Sequence, residues 1–475
     1  MNASEVYTGF VKHISYPFFS WYAGQKGLLK SLQRLERSQF DKPGQIFERQ
    51  IDQLRLLLKH AYRTTPFYRR RFDECGFNPD LFRHADQLLK IPILTKNEIR
   101  DDLADMISSR FTPNEIHFSE TGGTTGVKMK FCRDNSCLSI KEAALLRFEL
   151  WSGWCIGEPL GIVWPAQQDY VGHWTWKAKL KNALYQRQVV FPAAVLDENA
   201  IRGYLHQVFR QKPTLIRAFT SPIFEIAKVI LEQSIQIPPI KGIITTGEPL
   251  YEHQRAVIEK AFGCKMFDSY RSREAGPIAQ ECEAHEGLHI NAENLFIESI
   301  PLKGAYCNKE CVGEIIVTDL RNFGMPLIRY NMGDIGVMSQ KECSCGRGLP
   351  LLSGLRGRSA SNFITPGGKI VAAGALVLYL VDEAPGPLGQ VQIIQERLDI
   401  IIIRMTKNPL PSEKVLKYQE MTVKRLFGSQ MKLKFEFVEK IDREPSGKYL
   451  FTKSLIDNSL QNRMNHSTDS NSAKR

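Results

Sequence analysis

The chain has 475 residues, 43% apolar and 24% charged, with a formal net charge of +12. This length predicts two or three domains, and the balance is that of a soluble globular protein, not of a disordered or fibrous one. No apolar run reaches bilayer-spanning length, and the N-terminus lacks the basic, apolar and small-residue succession of a secretory signal, so the expected location is the cytoplasm.

In chain order, the aromatic stretch SYPFFSWYAG comes first, for which packing onto the domain is favoured over contact with a membrane. Phe47, Ile51, Leu54 and Leu58 then recur at helical spacing. The dense basic cluster FYRRRF, around Arg69–Arg71, reads as a solvated helix face. No helix-turn-helix, RNA-recognition or finger pattern accompanies it, which argues against nucleic acid. Thr95 and Glu98 have the spacing of a capping box opening another helix. This helical part extends to about residue 110. From about Phe118, strands such as LGIVW and GIITT alternate with helices such as IFEIAKVILEQS and YEHQRAVIEKAFG. That alternation predicts an α/β fold with mixed, largely parallel sheets and ligand sites beyond the carboxyl ends of the strands.

After Gly357 the pattern changes to a compact α+β unit. QVQIIQERLDIIIIRM reads as two strands and a turn, SEKVLKYQEMTVKRLFG as a helix closed by Gly428, and MKLKFEFVEKI as a half-buried strand. A glycine-bearing hairpin, DREPSGKYLF, follows, and the polar tail reads as disordered. The expected domains are 1–357, 358–460 and a tail, 461–475.

TGGTTGVKMKF, from Thr121, gathers glycines and threonine hydroxyls that can converge on an anion. The residues after it alternate like a strand and do not open a helix, which excludes a Walker A loop and a dinucleotide fingerprint. Four more motifs follow in order: TTGEPL, DSYRSREAG, PLIRYNMGDIG, and GLRGRSASNF with REPSGKYLF. Together they resemble the adenylate-forming superfamily of acyl–CoA synthetases and luciferases, in particular phenylacetate–CoA ligases and their relatives from capsular polysaccharide gene clusters.

The resemblance implies a large AMP-binding domain, a small mobile C-terminal domain, and roles for particular residues. Thr121, Gly122, Gly123, Thr124, Thr125 and Gly126 form the loop on the β- and γ-phosphates of ATP, with Lys128 where the family usually has proline. Gly247 and Glu248 lie along adenine and the acyl pocket, which the stretch near Phe219 also lines. Within the motif that starts at Asp268, Tyr270 stacks on adenine, Ser272 faces the α-phosphate and Glu274 helps to hold Mg²⁺. Asp334 takes the ribose hydroxyls, Arg358 reaches ribose or phosphate near the hinge, and Lys448 bridges the substrate carboxylate and phosphate. Arg271 stands where the family has glycine, and Ala360 where it commonly has aspartate. Lys448, Glu274 and Thr124 are thus the candidate catalytic residues.

The implied reaction is attack of a carboxylate on the α-phosphorus of ATP, release of pyrophosphate, and transfer of the acyl group, usually to coenzyme A. An aromatic acid is favoured by the family branch. The other readings are transfer to a sugar amine or hydroxyl or to a carrier-protein thiol, and a non-catalytic nucleotide-binding relative. The partners implied are a carboxylic acid, ATP and coenzyme A, with a homodimer allowed. Cys282 and His285, with Cys343 and Cys345, offer two thiolate/imidazole pairs for a structural Zn²⁺. His289 is the rival fourth ligand, and Cys307 and Cys311 compete.

Overall fold

The structure, a computed structural model, describes residues 3–121, 129–164, 176–193, 198–248, 250–301, 312–358, 363–367, 370–371, 376, 378–382, 384–441 and 452–456. The chain divides into two compact units: Met1–Glu298 with Ile316–Asn331 and Ser339–Ser353, and Ser299–Ile315 with Met332–Met338 and Gly354–Arg475.

The first unit opens with helices α1 (Ala3–Phe10) and α2 (Tyr16–Tyr22), joined without a break by a π-helical turn, Val11–Ser15. Helices α3 (Leu28–Ser38), α4 (Pro43–Thr64), α5 (Pro66–Glu74), α6 (Lys96–Asp101) and α7 (Leu103–Met106) follow. The buried stripe of α4 includes Ile46, Gln50, Leu54, Leu57, Leu58 and Ala61; Leu54 and Leu58 are on it as expected, while Ile51 is half-buried and Phe47 exposed. The Thr95 capping box is present: its hydroxyl accepts from Glu98 N, and Glu98 Oε2 accepts from Thr95 N at 2.7 Å. Arg71 is not solvated as expected. It is buried, paired with Glu98 at 2.6 Å, and donates to the carbonyls of Pro92 and Ile93, so it ties α5 to the segment before α6.

Strands β1 (Ile116–Glu120) and β2 (Lys130–Asp134) form an antiparallel hairpin, followed by helix α8 (Asn135–Trp151). The α/β part then runs β3 (Leu160–Trp164), α9 (Trp176–Lys181), β4 (Gln188–Pro192), α10 (Glu198–Gln211), β5 (Leu215–Phe219), α11 (Thr220–Glu232), β6 (Gly242–Thr246), α12 (Glu252–Phe262) and β7 (Lys265–Ser272). Pairing is parallel from β4 through β3, β5 and β6 to β7. It turns antiparallel at β8 (Gly276–Glu281) and β9 (Leu288–Ile290).

Because strand side chains alternate between faces, neighbouring residues enter two cores. Val163, Ile216, Ile243 and Met266 pack under α10, α11 and α12. Ile162, Leu215, Ile244 and Phe267 pack against α3, α8 and the N-terminal helix. Strands apolar on both faces, as a covered parallel sheet requires, are why the sequence reads so plainly here. Strands β10 (Leu295–Pro301), β11 (Val312–Asp319), β12 (Tyr330–Met338) and β13 (Leu351–Arg358) each give one end to either unit.

The second unit contains two short strands, β14 (Phe363–Ile364) and β15 (Ile370–Val371), and a four-stranded sheet. In that sheet β16 (Val391–Arg397) and β17 (Ile400–Thr406) form a hairpin, β18 (Lys432–Val438) runs parallel to β17, and β19 (Thr452–Ser454) parallel to β16. Helix α13 (Glu413–Phe427) covers one face through Val423 and Phe427, against Ile393, Ile401, Ile403 and Met405. Gly428, at φ 95°, ends it as expected.

Candidate active site and metal centre

The phosphate-loop expectation rests on a hairpin, and the hairpin is present. Beyond the last ladder pair, Glu120↔Lys130, Thr121 N donates to Met129 O at 2.9 Å and Met129 N to Thr121 Oγ1 at 3.0 Å. Buried Thr121 therefore closes the neck of the loop. Gly122, Gly123, Thr124, Thr125 and Gly126 lie outside the described residues, as do Lys448, Cys307 and Cys311. The backbone of Arg358 ends β13, and its side chain lies outside the described set. Asp334 is a half-buried residue of β12, in the second unit.

The turn after β7 meets the same hairpin. Arg273 Nη1 donates to Glu120 O at 3.2 Å, and Ser272 Oγ accepts from Ala275 N at 2.9 Å, which fixes the turn. Ser119, Glu120, Ser272 and Arg273 line one cavity of ≈ 500 Å³ with Lys141, Glu142 and Arg133. Glu274 is buried. Its carbonyl accepts from Lys141 Nζ at 2.9 Å and Arg133 Nη2 at 3.4 Å, and its Oε1 from the Tyr330 hydroxyl at 3.3 Å. Lys141 is paired with buried Asp319 at 2.6 Å. Among the described residues Glu274 makes no ion pair. A buried carboxylate facing only a neutral hydroxyl is short of a cation, and one carboxylate plus substrate phosphates is a usual Mg²⁺ donor set, so Glu274 fits that ion.

The carboxyl ends of β5, β6 and β7 stand side by side, with Phe219 opposite Thr246 and Thr245 opposite Asp268. Gly247, at φ 82°, lies against the Phe219 ring: a Cβ there would sit 2.5 Å from it. Glu248 Oε2 accepts from Ser221 N at 2.7 Å and Ser221 Oγ at 2.6 Å, anchoring the loop to the first turn of α11. Tyr270 is buried in β7. Asp268, next to Glu281 and Arg255, is pushed up to about 7, by burial first and then by the Glu281 charge. Arg271 bonds Ser269 Oγ at 2.7 Å and Gln280 Oε1 at 3.0 Å, and burial, then Arg217, lowers it to about 9. Lys141, Arg133 and Tyr330 were not singled out from the sequence. Lys141 is one charge in an otherwise ordinary helix, and only the tertiary fold gives it a partner.

The cysteines gather as a second centre. Cys282, His289, Cys343 and Cys345 present ligand atoms all within 4.8 Å of one another. The Cys282 and Cys343 sulfurs are 3.6 Å apart, and Cys345 Sγ lies 3.3 Å from His289 Nε2. A tetrahedral Zn²⁺ with Zn–S near 2.3 Å has S···S edges of about 3.8 Å, so the set has the right size. His289 Nδ1 faces Leu349 O at 3.3 Å, which turns the Nε2 lone pair toward the sulfurs. Burial lowers His289 to about 4, so the imidazole is neutral at pH 7. Ala284 N and Arg347 N point at Cys282 and Cys345 sulfurs at 3.4 and 3.5 Å. The fourth residue is thus His289, not His285. His285 sits at φ 55°, and its ring turns to Glu281 Oε2 at 3.3 Å and to Phe267. His289 is brought in by pairing of β9 with β13, where it faces Leu351.

Residues 363–455 match the family described as the CapK C-terminal domain. Protein CapK of Staphylococcus aureus is 26% identical over 376 residues, which span 77% of this chain and 80% of that protein. A phenylacetate-coenzyme A ligase of Thermus thermophilus is 25% identical over 356 residues, 73% of this chain and 78% of the ligase. The crystal structure of 2-hydroxyisobutyryl-CoA ligase in the postadenylation state, in complex with R3-HIB-AMP, matches with a TM-score of 0.62 at 20% identity, over 89% of this chain and 91% of that one. The chain is therefore a homologue of Protein CapK and of the phenylacetate-coenzyme A ligases, carries a CapK C-terminal domain, and has the fold of the adenylate-forming CoA ligases.

Proposed function

We propose that this protein activates a carboxylic acid with ATP, forming an acyl-adenylate and pyrophosphate, and passes the acyl group to coenzyme A. The observation that carries the reading is the hydrogen bond by which Arg273, in the turn that carries Glu274, reaches Glu120 next to the Thr121–Met129 loop neck, beside a cavity lined by Ser119, Glu120, Ser272 and Arg273. Similarity to phenylacetate-coenzyme A ligases supports an aromatic acid as substrate.

In this reading the loop 122–128 donates backbone N–H groups to the β- and γ-phosphates and steadies pyrophosphate as it leaves. Tyr270 and the Gly247–Glu248 loop hold adenine and the acyl group, Asp334 the ribose hydroxyls, and Ser272 the α-phosphate. Glu274 would hold Mg²⁺, which supplies charge neutralisation between the two anionic reactants. Lys448 brings its ammonium to the carboxylate oxygen and α-phosphate as the new bond forms, and Arg358 lies at the hinge. Cys282, His289, Cys343 and Cys345 would hold a structural Zn²⁺, since four protein ligands leave no open position. A second reading concerns the last step alone: the same adenylate is delivered to a sugar amine or hydroxyl or a carrier thiol, as the resemblance to relatives from capsular polysaccharide gene clusters implies.

The test is exchange of labelled pyrophosphate into ATP with a panel of acids, followed by assay for CoA thioesters. Exchange with an aromatic acid is expected, and Lys448→Ala should abolish it while ATP still binds. Absence of exchange with every acid refutes the reading. Exchange without thioester selects the second acceptor class.

A further inference from the structure

The N-terminal helix leaves one face uncovered. Val6, Phe10, Ile14, Phe18 and Tyr22 follow each other at intervals of four, with Trp21 beside them, and all six are exposed, Tyr22 at 75% and Ile14 at 61%. In a regular α-helix such a row drifts round the axis. Here the π turn Val11–Ser15, which rotates less per residue, offsets the drift and keeps the row on one side. The opposite face is anchored: Val11 and Tyr16 are buried in the core with Trp154 and Ile162, and Ser15 bonds the Leu184 carbonyl. Phe18 stacks on Tyr22, with ring centroids 6.5 Å apart. The segment after α9 packs on this helix through Tyr185 against Tyr16, at 4.6 Å, so α9 stands nearby with Trp176 (70%) and Leu180 (49%) exposed.

The charge around this face is one-sided. Residues 3–30 contain a single carboxylate, Glu5, against Lys12, Lys26 and Lys30, and residues 176–187 contain four cations and no carboxylate. Among the described residues no helix is long and apolar enough to cross a membrane. An apolar stripe with tryptophan and tyrosine at its margin and lysines beside it suits a helix lying in the plane of a bilayer surface. A two-fold contact with a second copy fits less well, since it would bring Lys12 and the α9 lysines toward their own equivalents.

We propose that this face docks the protein on an anionic lipid surface, with Phe10, Ile14, Phe18 and Tyr22 entering the headgroup boundary and Lys12, Lys179 and Lys181 meeting lipid phosphates and carboxylates. The test is co-sedimentation of the full chain with vesicles of phosphatidylcholine, with and without phosphatidylserine. Binding should rise with phosphatidylserine and fall with salt. Phe18→Ser with Trp21→Ser should weaken it on the order of tenfold or more without lowering thermal stability. Lys179→Glu with Lys181→Glu, which leaves the apolar row intact, should remove the dependence on phosphatidylserine and serves if the first variant does not fold. Failure of the unaltered protein to bind either vesicle overturns the proposal, as does binding by both variants that equals that of the unaltered protein. A dimer that Phe18→Ser with Trp21→Ser converts to monomer, in a protein that ignores vesicles, also overturns it and assigns the face to a second copy.

Discussion

Lys141→Met removes one charge from beneath the candidate active site and leaves the side-chain volume nearly unchanged. The Lys141 and Asp319 side chains are 8% and 1% exposed, and their charged atoms are 2.6 Å apart. The lysine stem is also packed, because Gly276, at φ 77°, lies so close that a Cβ on it would be 3.0 Å from Lys141 Cδ. Methionine can fill the stem's space but leaves Asp319 as an uncompensated buried carboxylate. Breaking a buried pair from one side costs about 3–5 kcal/mol, against about 0–1 kcal/mol for an exposed pair. In a chain of this size that is a fall in melting temperature of roughly 3–5 °C.

The assay is differential scanning fluorimetry with urea unfolding of Lys141→Met, Asp319→Asn and the double variant. The double variant should recover most of the loss, since neither charge is then left alone. Lys141 also donates to the Glu274 carbonyl at 2.9 Å, so pyrophosphate exchange should fall in both variants that lack the lysine, and stay low in the double variant even as its stability returns. A loss within the exposed-pair range for Lys141→Met would refute the reasoning, because Asp319 would then not depend on the lysine.

Zinc content separates the two histidines: His289→Ala should lose bound zinc on purification and His285→Ala retain it, as read by metal analysis, and the reverse result would return the ligand role to His285. Asp268 is raised from its ordinary value of 3.8 to about 7. The folded state therefore keeps a proton that the unfolded state has lost, and stability should fall as pH rises from about 4 to about 7, by a few kcal/mol at most. Asp268→Asn should flatten that slope in melting temperatures taken across the window, and an unchanged slope would remove Asp268 as its source. Gly247→Ala must place a methyl against the Phe219 ring at a φ of 82°, so a loss of about 1–3 kcal/mol in urea unfolding is expected, and a neutral result would mean the loop shifts freely.

The α/β alternation was legible because a sheet covered on both faces demands uninterrupted apolar strands, and GIITT and LGIVW can hardly be anything else. The helix at α4 was legible, and Leu54 and Leu58 of its buried face with it, but Ile46 and Gln50 were missed. Gln50 belongs to that face, its amide donating to Leu295 O at 2.8 Å, and a polar residue satisfied by a distant carbonyl breaks the apolar period that reveals a helix. Arg71 misled for the same reason, since its three acceptors come from residues 92, 93 and 98. The hairpin at the neck of the expected phosphate loop was visible in the alternation of VKMKFCR. For the Cys/His cluster the sequence offered His285 first and His289 as its rival, because spacing along the chain favours His285, whereas strand pairing brings His289 to the cysteines.

The buried charges next to the hairpin explain why motif residues alone do not define the site. Lys141 has two acceptors: its charge is paired with the Asp319 carboxylate at 2.6 Å, and its Nζ donates to the Glu274 backbone carbonyl at 2.9 Å. Asp319 is therefore neutralised within the fold. The Glu274 side chain accepts from the Tyr330 hydroxyl and makes no ion pair among the described residues. In the proposed reading, a magnesium–nucleotide complex would bring its cation to Glu274, which makes no ion pair among the described residues, and not to Asp319, which is paired with Lys141. Lys141 thus ties buried Asp319 to the backbone of the turn that carries Glu274, which is why its loss is expected to reach both stability and the proposed reaction.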